Sequence, residues 1–90
     1  MNVIWDIKKA KANFLKHRIY FSDAESVLYD SLAISSPDDD TEGEERFIAT
    51  GSDVFGRILT IVYTYRDDTI RIISARKATK KERKYYESTI

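Results

Sequence analysis

Residues 70–83 read IRIISARKATKKER and decide how the rest of the chain is organised. The isoleucine-rich first half is β-branched and apolar, which predicts a buried strand. The second half is basic, and Thr79 followed by Glu82 forms the T-x-x-E capping box that predicts a new helix. Arg76 and Lys77 stand at the junction, where a rigid strand end can hold side chains for a ligand. A solvated basic helix at the end of a sheet explains the same pattern.

Length and composition limit the chain to one domain, residues 1–90, with one core. Hydrophobic residues make up 42% of it, which is enough for a folded core. There is no cysteine and only one histidine, so a disulfide framework is excluded and a zinc site is not expected. We expect no metal or other cofactor. No signal pattern and no membrane-length apolar run is visible, so the expected location is the cytoplasm without membrane contact.

Charge is unevenly distributed although the formal net charge is zero. Residues 1–18 carry five Lys or Arg against one Asp, and residues 54–86 carry nine against three acids. Residues 19–53 carry one Arg against ten acids. Oppositely charged solvated faces explain this asymmetry, but basic ends are also typical of a polyanion site.

Local patterns predict an α+β fold, in which an antiparallel meander of three to five strands has two N-terminal helices packed on one side and a C-terminal helix. The first predicted elements are a strand at 2–5, a helix from Ile7 to about His17 capped by Asp6, and a short helix opened by Ser22 and Glu25 and ending at Tyr29. A weak strand at 32–35 and an acidic loop at 36–45 follow. The last predicted elements are strands at 46–50, 58–65 and 70–74, and a helix from Thr79 to about Ser88.

Two side-chain patterns follow from these elements. In the first helix the expected buried face consists of Ile7, Ala10, Phe14 and Leu15. The second pattern concerns the hairpin: if residues 67–68 are its two-residue loop, residue 65 pairs with residue 70. Strict alternation along both strands then predicts that residues 66 and 76 project from opposite faces, unless the turn re-aims one of them.

The chain contains no P-loop, G-x-G-x-x-G, H-E-x-x-H or G-x-S-x-G motif, so the commonest enzyme signatures are absent. What remains is a set of cations and hydrogen-bonding aromatics near strand ends: Lys16, His17, Arg46, Arg57, Tyr63, Tyr65, Arg66, Arg76 and Lys77. This set suits RNA cleavage, since positioned charge stabilises the phosphorane and the 2′-hydroxyl is the nucleophile. Each cation also has a structural explanation, such as a helix dipole for His17, an acid across the sheet for Arg46 or a local ion pair for Arg66.

Five sequence blocks, in order and at their usual spacing, resemble the BrnT toxins of bacterial type II toxin–antitoxin modules. They are I-W-D-x-x-K-A-x-x-N-x-x-K-H at 4–17, F-x-x-A-x-x-V-x-x-D at 21–30, E-E-R-F-I-A-x-G at 44–51, G-R-I-L-x-I-V-Y-T-x-R at 56–66 and I-R-I-I-S-A-R-K-A-T-x-x-E-R-x-x-Y at 70–86. Relatives usually have Gly where this chain has Arg18, and often a histidine in the loop that here reads Asp38-Asp39-Asp40-Thr41. The missing histidine implies a weak enzyme or one that uses His17 alone.

The resemblance implies a RelE-like fold and a metal-independent endoribonuclease that cleaves RNA and inhibits translation and growth. It also implies a BrnA-like ribbon-helix-helix antitoxin, a 2:2 hetero-oligomer, and autoregulation in which operator DNA is bound only through the antitoxin. We expect the antitoxin to cover the basic site, laid along the sheet or the terminal helix. The alternative is a weak or inactive homologue that acts mainly as an antitoxin-binding co-repressor.

Carried over position by position, the resemblance implies catalytic roles for Lys16, His17, Glu45, Arg46, Arg66 and Arg76, and RNA contacts from Lys77, Arg57, Tyr65 and Lys80. In our hypothesis Arg66 and Arg76 bind the scissile phosphate and Arg46 supports them. His17 moves a proton, with Lys16 or Glu45 as alternatives.

Overall fold

The computed structural model describes residues 1–39 and 43–90. Residues 40–42, in the middle of the predicted acidic loop, lie outside the described residues. In chain order the elements are β1 (Asn2–Ile4), α1 (Ile7–His17), α2 (Phe21–Ala24), a 3-10 helix (Glu25–Tyr29), β2 (Ile34–Asp38), β3 (Arg46–Ser52), β4 (Ile58–Arg66), β5 (Thr69–Lys77) and α3 (Lys80–Glu87). The fold is therefore α+β, as the patterns predict. No helix in these two ranges has the length and apolar character needed to cross a membrane.

The sheet has the strand order β1-β5-β4-β3-β2. Strands β2 to β5 form the predicted antiparallel meander. The prediction of a wholly antiparallel sheet was wrong, because β1 pairs in parallel with β5, with Val3 opposite Ile70. Local turn patterns report only neighbouring strands, and this pair joins the two ends of the chain.

The β4–β5 hairpin has the predicted register, with Tyr65 opposite Ile70 and Asp67 at φ 54° in the turn. The register then shifts, since Val62 pairs with Ser74 whereas the next residue, Tyr63, pairs with residue 72. The extra residue is Ile73, a β-bulge that reverses the alternation of everything after it. Arg76 therefore pairs with Thr60 and lies on the same face as Arg66. The predicted opposite projection was wrong, and the bulge rather than the turn is the reason.

One face of the sheet, the covered face, packs against α1, α2 and the 3-10 helix. Its central row, Ala49–Ile61–Ala75, crosses three strands and is at most 1% exposed. Ile19 and Phe21 are likewise buried in this core. Burying a side chain of such size stabilises the fold by about 1.5–3 kcal/mol.

Helix α1 begins as predicted, because the Asp6 carboxylate accepts hydrogen bonds from the backbone N–H groups of Lys8 and Lys9. These bonds outweigh its desolvation and lower the pKa of Asp6. The predicted buried face was half wrong, since Ile7 and Leu15 are 68% and 71% exposed. Helix α1 packs mainly against β5, and this contact does not extend to Ile7 and Leu15 at the two sides of the apolar stripe.

The second helix starts at Phe21 rather than at the predicted Ser22 cap, and no side chain caps it. Phe21 is 2% exposed, so burial of its ring fixes the start of α2 in place of a capping box.

Strand β2 runs on to Asp38 through Pro37, beyond the predicted end of the weak strand. A proline is tolerated there because β2 is an edge strand.

The capping box that opens α3 is confirmed, with Thr79 and Glu82 each bonding the other's backbone N–H. At its other end Tyr86 is buried and donates a 2.6 Å hydrogen bond to Asp30. Burial disfavours the Asp30 anion, but three hydrogen bonds outweigh that effect and lower the pKa of Asp30. The C-terminal end of α3 is therefore joined to the residue that follows the 3-10 helix.

Candidate nucleic-acid interface on the open sheet face

The second face of the sheet, called here the open face, is covered by α3 at one end only. On β4 and β5 it presents four cross-strand pairs in turn: Arg66/Thr69, Thr64/Arg71, Val62/Ser74 and Thr60/Arg76. We call the first two pairs the hairpin end and the last pair the helix end. Both ends carry arginines, whereas the Val62/Ser74 pair between them is uncharged.

At the hairpin end two half-buried arginines flank Thr64. Arg71 pairs directly with it on β5. On the other side the Thr64 hydroxyl donates a 2.6 Å hydrogen bond to the backbone oxygen of Glu45, which brings Arg46 alongside. The backbones of Arg46 and Arg71 are two strand spacings apart, about 10 Å. Within residues 1–39 and 43–90 neither guanidinium forms a hydrogen bond or a salt bridge, so both have donors available for a phosphate.

Arg66 lies two residues further along β4 at the same end. Its side chain is 57% exposed and its Nε lies 3.6 Å from Oε1 of Glu44. This partner differs from the aspartates of the turn, which are its nearest acids in sequence. Since both groups are exposed, the pair contributes little stability and does not fix the guanidinium.

At the helix end Arg76 is held rigidly. Its Nη1 and Nη2 lie 2.7 and 3.0 Å from the two carboxylate oxygens of Glu82. Oε1 of Glu82 also accepts the backbone N–H of Thr79, so one carboxylate caps α3 and orients the arginine. The hydrogen bonds from Arg76, more than any other contact, lower the pKa of Glu82 to about 2. The two-pronged contact occupies two of the five guanidinium N–H groups, and the side chain is 39% exposed.

His17 and Lys16 end α1 on the side of this arginine. Strand β1 ends opposite Arg71 of β5. Further along β5, the Asn13 side chain accepts a hydrogen bond from the Ala75 N–H at 3.0 Å and donates one to the Ala75 C=O at 2.9 Å. Helix α1 therefore runs onward along the edge of β5. His17 follows Asn13 by one turn on the same side of the helix, which directs it toward the end of β5. Neither His17 nor Lys16 has a polar partner in the described parts of the chain.

The six catalytic candidates thus fall into two groups. Arg66 and Arg76 are separated by six residues along β4 and its partner strand, which corresponds to about 20 Å. They lie on one face but too far apart to bind the same phosphate. The structure brings Glu45, Arg46 and Arg66 together at the hairpin end, whereas Lys16 and His17 end the helix that Asn13 joins to β5 at Ala75.

The four residues expected to contact RNA are scattered. Lys77 ends β5 and Lys80 begins α3, both exposed beside the helix end. Arg57 is bound by the buried carboxylate of Asp53 at 2.7 Å, and also lies 3.4 Å from Asp23. Tyr65, the fourth residue, lies on the covered side. Its ring packs edge-on against the rings of Phe47 and Tyr63, with centroid distances of 5.5 and 5.8 Å.

Arg71 is a residue that the sequence reasoning missed. It stands between Ile70 and Ile72, which are 5% and 0% exposed. A cation that alternates with buried isoleucines must point away from the core. That alternation was visible in the sequence and places Arg71 on the open face.

The sequence and the fold of this chain are both similar to those of known proteins. The family model described as "Ribonuclease toxin, BrnT, of type II toxin-antitoxin system" matches residues 5–82. The crystal structure of the Brucella abortus ribonuclease toxin BrnT superposes with a TM-score of 0.69 at 28% sequence identity, covering 89% of this chain and 99% of that one. No curated protein matches the chain. Five strands and three helices in the toxin's arrangement, together with a family match over most of the sequence, show that the chain belongs to the BrnT family of ribonuclease toxins of type II toxin–antitoxin systems.

Proposed function

We propose that this chain is a metal-independent endoribonuclease that binds single-stranded RNA across the open face. The observation that carries the proposal is the row of four arginines on that face: Arg46, Arg66, Arg71 and Arg76. Family membership supports ribonuclease activity, and the row supplies positive charge along a length that spans several phosphates.

In this proposal the reaction takes place at the helix end. Arg76, oriented by Glu82, binds the scissile phosphate and stabilises the charge that develops on its oxygens. A base removes the proton of the RNA 2′-hydroxyl, the 2′-oxygen bonds to phosphorus, and the 5′-oxygen leaves as it gains a proton. The products are a 2′,3′-cyclic phosphate and a 5′-hydroxyl end.

His17 is the proposed proton-transfer group, because α1 directs it toward Arg76. Lys16 is the alternative beside it. Glu45, the third candidate, is exposed at the hairpin end and would serve only if the reacting phosphate lay there. The hairpin-end arginines bind flanking phosphates, and Lys77 and Lys80 extend the positive charge beyond the helix end.

The wider biology follows from family membership, which implies an antitoxin partner. We propose that this partner is a BrnA-like ribbon-helix-helix protein, that the complex is a 2:2 hetero-oligomer, and that it represses its own operon through operator DNA bound by the antitoxin. Free toxin would act in the cytoplasm, where RNA cleavage inhibits translation and growth. Assignment of the fold to the RelE-like group is part of the same proposal.

One observation favours the second candidate, a weak enzyme that serves mainly as an antitoxin-binding co-repressor. Arg18 occupies the left-handed position after α1 at φ 59°, where relatives usually have Gly. A non-glycine residue is strained there, and its guanidinium lies 5.6 Å from the centre of the Phe14 ring. This substitution alters the end of the helix that carries His17.

The test is cleavage of a purified, protein-free RNA by the isolated chain, with analysis of the product ends. Arg66→Ala/Arg76→Ala is the test variant, and Arg83→Ala, which removes an exposed arginine paired with Glu87, is the matched control. Cleavage that persists in EDTA, yields cyclic phosphate ends and is lost only in the test variant supports the proposal. Cleavage that EDTA abolishes, or that survives in the test variant, contradicts it.

A further inference from the structure

One feature that the ribonuclease function does not use is an apolar groove on the covered side, between α1 and the start of α2. Its volume is about 420 Å³. Its lining residues, here called the α1–α2 groove, are Trp5, Ile7, Ala10, Lys11, Phe14, Leu15, Tyr20, Phe21 and Ser22. Three large apolar side chains at its rim, Ile7, Leu15 and Tyr20, are 56–71% exposed. No other part of residues 1–39 and 43–90 covers them.

The groove has the form of a site for a helix. Along α1 its apolar members recur at positions 7, 10, 14 and 15, a stripe with the spacing of one helix face. The opposite wall is formed by Tyr20 and Phe21 at the start of α2. A partner helix that inserts side chains at positions i, i+3, i+4 and i+7 fits such a groove. Contiguous apolar surface with a polar rim is typical of a protein interface.

Charge identifies the partner's chemistry. Lys11 is the only charged residue that lines the groove, and Arg18 lies beside Phe14 at its end. Lys8 is exposed on the same helix, about one turn before Lys11 and two turns before Leu15. A complementary partner therefore carries acidic residues beside its apolar stripe.

We propose that the α1–α2 groove binds an acidic amphipathic helix of the antitoxin. This inference rests on the toxin–antitoxin membership of the family, which implies such a partner, and it differs from the sequence-based expectation that the antitoxin covers the arginines. The groove is on the covered side, whereas the arginines are on the open face. The antitoxin thus gains affinity from a surface that RNA does not contact.

The experiment measures the affinity of the antitoxin from the same operon for the purified chain, without RNA. Leu15→Glu and Lys11→Glu are the test variants. The matched controls are Lys9→Glu, which changes the same charge on the far side of α1, and Val54→Glu, which changes an apolar side chain that is 72% exposed in another loop. All four positions are exposed, so circular dichroism and melting temperature should be unchanged.

The expected result is that each test variant binds antitoxin at least tenfold more weakly, that both controls bind like wild type, and that RNA cleavage by all four is unchanged. Wild-type affinity in both test variants overturns the inference. So does sedimentation evidence that Leu15→Glu abolishes a homodimer while antitoxin affinity is unaffected, which would identify a second copy as the occupant. A chain that binds antitoxin through the groove but cleaves no RNA would sustain this inference and refute the proposed ribonuclease.

Discussion

The two ends of the open face use arginine in different ways. At the hairpin end Arg46 and Arg71 flank Thr64 without a salt-bridge partner in the described parts of the chain, and Arg66 has only an exposed acid 3.6 Å away. At the helix end Arg76 is clamped by both oxygens of Glu82. Arginines without a fixed partner can adapt to a flexible strand of RNA, whereas an arginine held by an ion pair suits a single reacting phosphate. This contrast is the reason why the proposed function places RNA binding at the hairpin end and chemistry at the helix end.

The largest expected effect is on chemistry at the helix end. Arg76→Ala removes the group that stabilises the transition state, so kcat should fall by about 10²- to 10³-fold, as when one oxyanion donor is removed. KM should change little, because the hairpin-end arginines still hold the RNA. Single-turnover cleavage with Arg83→Ala as control measures both. A variant with wild-type kcat and a raised KM would place Arg76 in binding instead.

The next effect tests what fixes α1, the helix that carries His17, against β5. Asn13→Ala removes the side chain that bonds Ala75 N–H and C=O and the backbone oxygen of Ile19. Buried backbone groups then lose their partners, and we expect a loss of about 2–4 kcal/mol in the free energy of unfolding. Urea denaturation measures it, with Asn2→Ala at the exposed start of β1 as a control expected within about 0.5 kcal/mol of wild type. A loss no greater than in the control would mean that this bridge does not fix α1.

A smaller effect is expected at the hairpin end. Arg46→Ala/Arg71→Ala should raise KM by about tenfold, equivalent to about 1.4 kcal/mol, and leave kcat nearly unchanged. Because these arginines contact phosphates, the slope of log affinity against log salt should also become shallower. Binding of a non-cleavable RNA between 50 and 300 mM salt tests this. An unchanged slope would show that the two side chains do not contact the backbone.

The smallest effect is the pH dependence of the Glu82 contact. Its pKa is about 2 in the folded state, below the ordinary value of 4.5, so the contact stabilises the fold fully above about pH 5. That stability is lost as pH falls toward 2. Because both groups are partly exposed, we expect only about 1 kcal/mol or less. Glu82→Gln should therefore lower the free energy of unfolding at pH 7 and much less at pH 2, where half of the Glu82 side chains are protonated in the folded state. A constant difference at both values would exclude the ion pair as the cause.

Much of the fold follows from local sequence. The Asp6 cap, the Thr79–Glu82 box and the register of the β4–β5 hairpin each depend on a few adjacent residues, and all three were predicted correctly. The parallel pairing of β1 with β5 was not, because it depends on residues nearly seventy positions apart. Ile73 could not be recognised as a bulge either, since isoleucine is an ordinary strand residue and nothing adjacent marks the register shift.

The consequences for the site are specific. The sequence blocks supplied the candidate residues, but not their grouping, because the β-bulge at Ile73 is what places Arg76 on the open face. The distance between Arg66 and Arg76 could be recognised only once the pairing register of β4 and β5 was known. The contact between Glu82 and Arg76 was not predicted either, because the capping box already explained why a glutamate stands at position 82.

The most direct test of the central claim, that RNA lies across the open face, is an NMR titration of the ¹⁵N-labelled chain with a 2′-O-methyl RNA oligonucleotide, which lacks the nucleophile and cannot be cleaved. The account predicts shifts of the backbone amides around Arg46, Thr64, Arg71 and Arg76, with the amides of the α1–α2 groove unchanged. Shifts confined to the groove, with none on β3 to β5, would contradict it.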